Sequence, residues 1–429
     1  MGDAAEVDLD RFNPFDAAVQ QCPFPYYRAM QQAGAVFPVA GTDLYLVTRH
    51  ELILPILRDT KTFSSRFVTG EAARGPVVEK LQEIVSRGWP NVPTMLTSDP
   101  PQHTRYRGTV APYFTPRTIA GLREPVEAIV LRLIDRWIGE GQVDLVTAFA
   151  VPLPVEVIAY VLNVPVDRLD DFKRWSDDSI AAIGAVIPDE RRLEAQEGIV
   201  EFQHYFAAQL ESRRAEPTGD LLSDLVHAEV DTDDGGHRPL EMAEMLSIVQ
   251  QLLVAGNETT TKALTEGVRL LAEDPEQWEK LRADPLGRAP LVTEEVLRLA
   301  APTQGMFRVV TEDTEIDGEP VPKGARVVVV YAGANRDPTV WGDDPDRFDP
   351  DRPNLKDHLA FGKGIHFCIG APLSRLELQL AFEHLARRLA DIRLTDPEHL
   401  EYHPSFVLRG LKRLDVAFTR PDVAFTPAQ

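Results

Sequence analysis

The segment with the clearest chemical potential reads Phe-Gly-Lys-Gly-Ile-His-Phe-Cys-Ile-Gly, at residues 361–370. Its glycines permit backbone turns that other residues rarely adopt, and Cys368 stands where an amphipathic helix begins. A helix N-terminus stabilises a thiolate through its dipole and free N–H groups, and such groups also tune a metal-bound sulfur. The pattern therefore indicates an anionic sulfur, held on a rigid bend, that faces something cationic.

A cysteine beside a tight turn has other interpretations. An isolated cysteine near glycine is most often a buried structural residue. His366 and Cys368 could share a metal, but zinc takes three or four ligands and no further cysteine lies nearby. A Cys–His nucleophile is another alternative, although residues two apart beside a helix start rarely present that geometry. Spacing alone leaves these alternatives open.

Two pairs at helical spacing could bind charged groups. Glu295 and Arg298 share one face of a predicted helix over 291–299, where a surface ion pair is worth at most about half a kcal/mol. His103 and Arg107 lie four apart, so both point one way from a helix. A histidine and an arginine on one face suit an anionic ligand, and a mixed solvated face is the alternative.

A polar group lies in the middle of an otherwise apolar helix. Residues 241–273 contain no proline and predict a buried helix through the middle of the molecule, about 45–50 Å long. Residues 255–260 read Ala-Gly-Asn-Glu-Thr-Thr, and Glu258 and Thr259 are costly there without partners. One interpretation is a helix kink whose polar side chains bond within the helix, with threonine donating to the i−4 carbonyl. The other is that these side chains face a ligand-binding or catalytic cavity.

The remaining pattern is mainly helical. Helical periodicity dominates residues 101–300, strand-like runs lie at 36–49 and 307–331, and a last long helix starts near Cys368. No linker long enough to separate domains occurs. The sequence predicts a mainly α fold with small β-sheets, with a mobile N-terminal arm over residues 1–20 and a single domain over residues 21–429.

Composition limits the classes of function. The chain has 429 residues and a net charge of −22, which makes it a poor non-specific binder of nucleic acid or anionic membrane. Its two cysteines, Cys22 and Cys368, are far apart and suggest no disulfide framework. The most apolar region, 148–166, is interrupted by prolines and a glutamate, and no signal peptide is visible. We expect a cytoplasmic protein with no membrane anchor and no nucleic-acid partner.

The segment 361–370 resembles the haem-binding loop of the cytochrome P-450 family, Phe-Gly-x-Gly-x-His-x-Cys-x-Gly, at all six fixed positions. The resemblance extends along the chain, because the other constellations occur in the family's order and spacing. It implies the cytochrome P-450 fold as a single domain, with haem b (iron protoporphyrin IX) between the long central helix and the cysteine loop with its helix. It also implies a bacterial, stand-alone monooxygenase.

The resemblance implies a role for each matching residue around the haem. Cys368 is the axial thiolate and the metal ligand, Phe361 packs under its sulfur, and Gly370 completes the loop. Two histidines and two arginines contact the haem propionates: His103, Arg107, Arg308 and His366. Arg308 depends most on the resemblance, because a lone strand arginine is normally just exposed.

Two further constellations acquire roles in the same way. Glu295, Arg298 and the later Arg352 resemble the family's Glu–Arg–Arg triad, which locks the loop that carries the cysteine. Glu258 and Thr259 resemble the acid–alcohol pair of the oxygen-binding groove and are the predicted catalytic residues. Glutamate replaces aspartate at that position in many members.

The resemblance also implies partners. The expected reaction hydroxylates a lipophilic small molecule (terpenoid, steroid, fatty-acid or aromatic type) with O2, and a monomer receives electrons from ferredoxin and an NAD(P)H-dependent ferredoxin reductase. Complementary charge would require a locally basic surface over the cysteine, for which Arg105, Lys363 and Arg375 are candidates, with Arg107 nearby. The inferred substrate pocket is mostly apolar with two glutamines: Met95, Leu96, Gln251, Ala255, Gln304, Met306, Val407 and Leu408.

Two other functions remain open. One is a haem-thiolate peroxygenase, isomerase or coupling enzyme that needs no external electrons, and the other is a haem-based sensor or carrier. Peroxygenases often lack the acid–alcohol pair, and a sensor needs no proton relay. Glu258 and Thr259 therefore weigh against both, and NADH consumption with a ferredoxin system would separate the three functions.

Overall fold

A long helix organises the computed structural model, which describes residues 7–34, 36–67, 77–183, 186–232 and 235–421. The helices in these ranges are α1 (Ala17–Gln21), α2 (Phe24–Ala33), α3 (His50–Arg58), α4 (Val77–Val85), α5 (Gln102–Val110), α6 (Pro116–Ala120), α7 (Arg123–Trp137), α8 (Pro152–Val161), α9 (Leu169–Ile180), α10 (Asp189–Ala215), α11 (Leu221–His227), α12 (Met242–Glu273), α13 (Pro275–Ala283), α14 (Pro285–Ala300), α15 (Tyr331–Ala334), α16 (Pro338–Trp341) and α17 (Ala371–Arg388). The strands are β1 (Val36–Pro38), β2 (Leu44–Val47), β3 (Phe63–Ser64), β4 (Gln142–Asp144), β5 (Glu229–Asp231), β6 (His237–Pro239), β7 (Met306–Val310), β8 (Thr314–Ile316), β9 (Glu319–Val321), β10 (Arg326–Val329), β11 (Asp391–Leu394) and β12 (Asp415–Thr419). The predicted mainly α fold with small sheets is confirmed.

The central helix is α12, as the apolar pattern predicts. Glu241 and Glu244 form a reciprocal capping box at its start, and Asp274 followed by Pro275 ends it. Its 32 residues span about 48 Å. Helices α8, α9, α14 and α17 pack against it, so most of its surface is buried.

Helix α17, which follows the cysteine, packs closely on α12 and α14. Gly267 allows this approach, because a Cβ atom there would lie 2.4 Å from the Phe382 ring. Leu378, Leu380 and Phe382 are completely buried in the same core. The cysteine loop is therefore joined to a helix that has little freedom to move.

The largest sheet in the described part of the chain has the strand order β1-β2-β10-β7-β3. Strand β10 runs parallel to β2 and antiparallel to β7, with Val327 opposite Arg308. Strand β7 therefore has a fixed register, which places the Arg308 side chain in the interior. None of the described helices combines the length and apolar character that crossing a membrane requires.

The N-terminal segment differs from the predicted mobile arm. Residues 1–6 lie outside the described residues, but residues 7–20 form a 3-10 turn at Leu9–Arg11 and the start of α1. Phe12 and Val19 are both 6% exposed and belong to an apolar cluster with Tyr27 and Met30. The arm prediction is therefore wrong for residues 7–20, because their apolar side chains cover part of the core.

Candidate active site

The cysteine loop is a tight bend in which glycine is needed at two positions. Gly362 and Gly364 have φ angles of 64° and 74°, in the left-handed region. A Cβ atom on Gly364 would also lie 2.6 Å from the Leu57 carbonyl oxygen. The Cys368 N–H donates to the Phe361 carbonyl at 2.9 Å and closes the bend just before α17.

The sulfur of Cys368 is buried beside groups that partly offset the cost of a negative charge there. Burial raises the pKa of the Cys368 thiol above its ordinary value, although the backbone N–H groups of Gly370 and Ala371 and the charge of Arg107 act in the opposite direction. Phe361 packs against the Arg375 guanidinium, which lies 4.6 Å from the ring centre, and against Phe367. An adjacent cation would complete the stabilisation of this sulfur.

Two histidine rings pack against each other beside the loop at a tilt of 59°. The rings of His103 on α5 and His366 have centres 4.3 Å apart. His366 Nδ1 lies 3.1 Å from the Met95 carbonyl oxygen, but its Nε2 and both nitrogens of His103 are buried without a partner in the described part of the protein. Burial, reinforced by the charges of Arg308 and His103, lowers the pKa of His366 to about 3. Unpartnered buried polar atoms are costly, so they fit a polar ligand.

A half-buried arginine and a buried one point to an anionic ligand at the same place. Arg107 donates to the Phe367 carbonyl at 2.7 Å, and Arg308, which is 3% exposed, donates to the Phe307 carbonyl at 2.7 Å. Neither forms an ion pair with a carboxylate of the described residues, and burial lowers the pKa of both. The donor set, with a thiolate and an unneutralised cationic cradle, fits a haem whose iron faces sulfur and whose propionates face His and Arg.

The polar side chains in the middle of α12, at residues 257–259, point in different directions. The Thr259 hydroxyl donates to the Ala255 carbonyl at 3.1 Å, and Ala255 is exposed in the protein alone. Asn257 donates to the Ser176 hydroxyl of α9 at 3.0 Å. Gly256 allows Ile158 of α8 to pack closely against α12, because a Cβ atom at position 256 would lie only 3.2 Å from the Ile158 side chain. Only the Ala255–Thr259 side therefore faces open space.

Glu258 lies on the other side, where it is 6% exposed and accepts a hydrogen bond from Lys262. Burial raises the pKa of Glu258, but the charges of Lys262 and Lys173 outweigh it, so the pKa lies below its ordinary value. Lys262 is not among the site residues predicted from the sequence. Its position four residues after Glu258 is the signal that could have identified it.

The three residues of the expected triad meet in the interior. Arg298 binds both oxygens of Glu295 at 2.7 Å, and both side chains are fully buried. Arg352 Nε lies 3.3 Å from Glu295 Oε1, and the Asp349 N–H donates to the same oxygen at 2.9 Å. The remaining guanidinium N–H groups donate to backbone carbonyls of residues 335–347. These contacts join α14 to the loop that leads to the cysteine.

Part of the inferred pocket set lies on elements that adjoin the cysteine loop or the open side of α12. Gln251 accepts a hydrogen bond from the Thr94 hydroxyl at 2.9 Å, next to Met95, whose carbonyl contacts His366. Leu96 is 40% exposed. Met306 begins β7, two residues before Arg308. These positions connect the segment before α5 with α12 and the sheet.

Gln304 is placed elsewhere, contrary to the pocket prediction. Its amide donates to the Ala300 and Ala301 carbonyls, and it lines a small cavity with Phe12 and Tyr27. Val407 is buried in the same apolar cluster as Phe12, and Leu408 packs against that cluster. Sequence alone misses this because residues near the N-terminus fill the space behind β7.

The predicted basic surface over the cysteine is only partly available. Arg375 binds Glu294 through two hydrogen bonds of 2.6 and 2.8 Å, and Arg105 also has a partner. Arg107 is turned inward to Phe367. Lys363 is the remaining candidate of the predicted set.

Comparisons with known proteins agree with this arrangement. The sequence model of the family Cytochrome P-450 matches residues 289–411. Cytochrome P-450 107B1 from Saccharopolyspora erythraea is 36% identical over 94% of this chain and 96% of its own. The 6-deoxyerythronolide B hydroxylase of the same organism is 35% identical over 91% of this chain and 94% of its own. The structure of CYP109Q5 from Chondromyces apiculatus has a TM-score of 0.81 at 34% identity and covers 96% of this chain and 99% of its own.

The fold and the site thus define a haem-thiolate enzyme, and the chain belongs to the cytochrome P-450 family. It is a monooxygenase of bacterial type, an oxidoreductase with a haem-iron cofactor that uses O2 and electrons from a redox partner.

Proposed function

We propose that the protein is a haem b monooxygenase that hydroxylates a lipophilic small molecule with electrons from a ferredoxin system. The observation that carries this proposal is the convergence at one place of a buried cysteine sulfur, two histidines and two arginines. Among the described residues, the histidines have ring nitrogens without a partner and the arginines form no ion pair with a carboxylate. An iron porphyrin with two propionates satisfies all of these groups at once.

In this proposal the Cys368 sulfur would hold the haem iron, and the Gly370 and Ala371 N–H groups would stabilise its negative charge. Arg107, Arg308 and the two histidines would hold the propionates. The chemistry that a bound haem would supply is activation of O2: with two electrons and two protons, one oxygen atom would enter a substrate C–H bond and the other would leave as water. The triad of Glu295, Arg298 and Arg352 keeps the cysteine loop in place and has no chemical role.

The residues of α12 deliver protons. The Thr259 hydroxyl lies beside Ala255 on the open side of the helix, where it would act as a proton donor for the reaction. Glu258, next to it in the chain, connects that hydroxyl to the outside through its titratable carboxyl group. Positioned proton transfer of this kind is worth about 10²–10⁴-fold in rate.

The substrate class is supported by the apolar lining and by the names of relatives. Met95, Leu96, Ala255 and Met306 offer apolar contacts, and Gln251 offers an amide. One relative is a hydroxylase of 6-deoxyerythronolide B, and another is a Mycobacterium tuberculosis steroid C26-monooxygenase, 36% identical over 77% of this chain. A macrolactone or a steroid with few charges would suit this lining.

A screen of compound classes tests the proposal. Substrates should shift the haem absorption on binding, and the shifting compounds should then stimulate NADH consumption with ferredoxin, its reductase and O2. We expect macrolactones or steroids to give the shift and a hydroxylated product. Product formed from peroxide without any reductase would instead support the peroxygenase alternative, and no product under either condition would contradict both.

A further inference from the structure

One side of the central helix α12 is open. Most side chains between positions 243 and 268 are buried. The residues that stay at least partly exposed on this side, in an i, i+3, i+4, i+8 row, are Gln251, Val254, Ala255 and Thr259. Gln250 and Gly256 are also partly exposed, but they face α9 and α8 instead. Gln251 and Thr259 are therefore the two polar ends of an apolar row.

The two polar ends lie a molecular length apart. Thr259 follows Gln251 by eight residues, which corresponds to about 12 Å along the helix axis. This distance is comparable to the length of a four-ring steroid skeleton. A molecule that lies along the row with one end at Thr259 therefore has its other end at Gln251.

The amide of Gln251 is held in one orientation by Thr94. The Thr94 hydroxyl donates to Gln251 Oε1 at 2.9 Å, and Thr94 is only 4% exposed. With the amide turned over, its nitrogen would donate to the hydroxyl, whose own proton would have no acceptor among the described residues. A buried donor without an acceptor is costly. The amide oxygen therefore faces Thr94, and the two N–H donors are left for the open side of α12.

Thr94 is itself fixed by its neighbours in the irregular segment before α5. The Val92 N–H donates to the Ser247 hydroxyl of α12 at 3.0 Å. On the other side, the Met95 carbonyl oxygen lies 3.1 Å from His366 Nδ1 in the cysteine loop. The segment is thus attached to α12 before Thr94 and to the cysteine loop after it. The Thr94 hydroxyl has little freedom to release the Gln251 amide.

We propose that Gln251 is a specificity-determining residue, whose amide N–H groups donate to a neutral acceptor oxygen of the substrate, and that Thr94 positions it. A ketone or a lactone carbonyl is such an oxygen. An amide carries no charge, so it does not compensate a buried carboxylate, and the apolar row suits a hydrocarbon body. The substrate then has its oxygen at one end and its oxidised carbon at the other. The inference rests on the proposed function, because Thr259 marks the reacting end only in a monooxygenase.

Two steroids that differ by one oxygen atom test this role. They are androstane with a single ketone on ring A and androstane itself, and haem absorption titrations of the holoenzyme without reductase give their dissociation constants. We expect the ketone to bind about 2–10-fold more tightly, which is the range for one net hydrogen bond. Equal affinities in the unchanged protein would overturn the proposal.

Three variants on α12 locate the preference for the ketone. Gln251→Leu should abolish it by weakening ketone binding, while androstane binds about as before. Gln251→Glu keeps an oxygen for the Thr94 hydroxyl but has no N–H to donate, so it should abolish the preference as well. Gln250→Leu is the matched control, because the Gln250 amide donates to Ser179 on α9 and should leave the preference intact. The same loss in Gln250→Leu and Gln251→Leu would contradict the assignment.

A pair of substitutions at Thr94 tests the positioning role. Thr94→Val removes the hydroxyl with little change of shape, so the amide is no longer held and the preference should fall. Thr94→Ser keeps the hydroxyl and should retain the preference. A general loss of stability would weaken the binding of both steroids alike and leave their ratio unchanged. Loss of the preference in both variants, or in neither, would remove Thr94 from the proposal.

The product separates this inference from the proposed function. With ferredoxin, its reductase, NADH and O2, the ketone should acquire a hydroxyl at the ring D end, opposite the oxygen that Gln251 binds. A hydroxyl beside the ketone on ring A would contradict the orientation, although the monooxygenase function would stand. If the bound ketone gives no NADH-dependent product, the proposed function is contradicted, whereas the ratio of the two affinities still decides whether Gln251 recognises the oxygen.

Discussion

At the residue scale, the site contains three buried ring nitrogens without a partner, on His103 and His366. Two arginines near His366, Arg107 and Arg308, form no ion pair with an acidic residue in the described part of the chain. Burying such groups alone costs several kcal/mol in total, so their arrangement depends on a ligand with matching charge. The same logic applies on α12, where Asn257 and Glu258 have partners within the protein and Thr259 faces open space. The site is defined by which polar atoms the protein leaves unsatisfied.

Much of this residue set could be predicted from the sequence, because short spacing fixes short-range geometry. The glycines and Cys368 of residues 361–370, and His103 with Arg107, are read from local patterns. The i,i+4 spacing of Glu258 and Lys262 also carries a local signal, whereas the direction of Gln304 could not be predicted. It depends on Phe12, which is distant in the chain.

Replacing the hydroxyl of Thr259 tests proton delivery. Thr259→Ala should still consume NADH and O2, but it should divert electrons to hydrogen peroxide, because the proton donor beside the oxygen is lost. Product and peroxide formed per NADH are the measurements. Thr265→Ala is a matched control, since Thr265 also bonds back to an i−4 carbonyl on α12, at 2.7 Å. An equal loss of coupling in both variants would favour a helix-bending role instead.

At the scale of elements, α14 and α17 hold the loop between them in place. The long, largely irregular segment 335–367 forms few helical or β-sheet hydrogen bonds. Several of its backbone carbonyls instead accept hydrogen bonds from Arg298 and Arg352. The sequence predicts α12 and the order of these elements well, since periodicity and capping are local. The sequence does not predict the packing of residues 7–20, because the few apolar residues near the terminus form no periodic pattern that would indicate which part of the core they contact.

Removing the charge of Glu295 tests this loop attachment. Glu295→Gln should destabilise the protein by roughly 3–5 kcal/mol and weaken haem retention, because two arginines lose a fully buried partner. Denaturant unfolding and haem release to an acceptor protein measure the two effects. Glu279→Gln, which removes an exposed pair with Arg282 at the same i,i+3 spacing, should have little effect on either. Normal stability of Glu295→Gln would contradict a structural role for the triad.

At the scale of the whole molecule, the charge of −22 shapes the encounter with an electron donor. An acidic protein repels an acidic ferredoxin except where a local basic patch faces it. Arg375 is bound to Glu294, which leaves Lys363 as the candidate basic residue for docking the donor. Lys363 lies close in sequence to the exposed Ile365. We therefore expect a small docking face rather than a broad basic one.

Reversal of this charge tests the docking face. Lys363→Glu should slow reduction by ferredoxin at low salt, and added salt should reduce the difference from the unchanged protein, because screening weakens exposed charges. Stopped-flow reduction measures the rate. Lys323→Glu, in the exposed turn between β9 and β10, changes the net charge equally and should have a smaller effect. Equal effects of both variants would mean that overall charge, not this face, governs the encounter.

The assignment of Cys368 as the iron ligand is the central claim, and the absorption spectrum of the reduced, CO-treated protein tests it most directly. Thiolate ligation gives a red-shifted Soret band. The unchanged protein and Cys22→Ser should show that band, because Cys22 is an exposed free cysteine remote in sequence from the loop. Cys368→His should lose it, since imidazole is a weaker electron donor than thiolate. Loss of the band in Cys22→Ser together with its retention in Cys368→His would contradict the account.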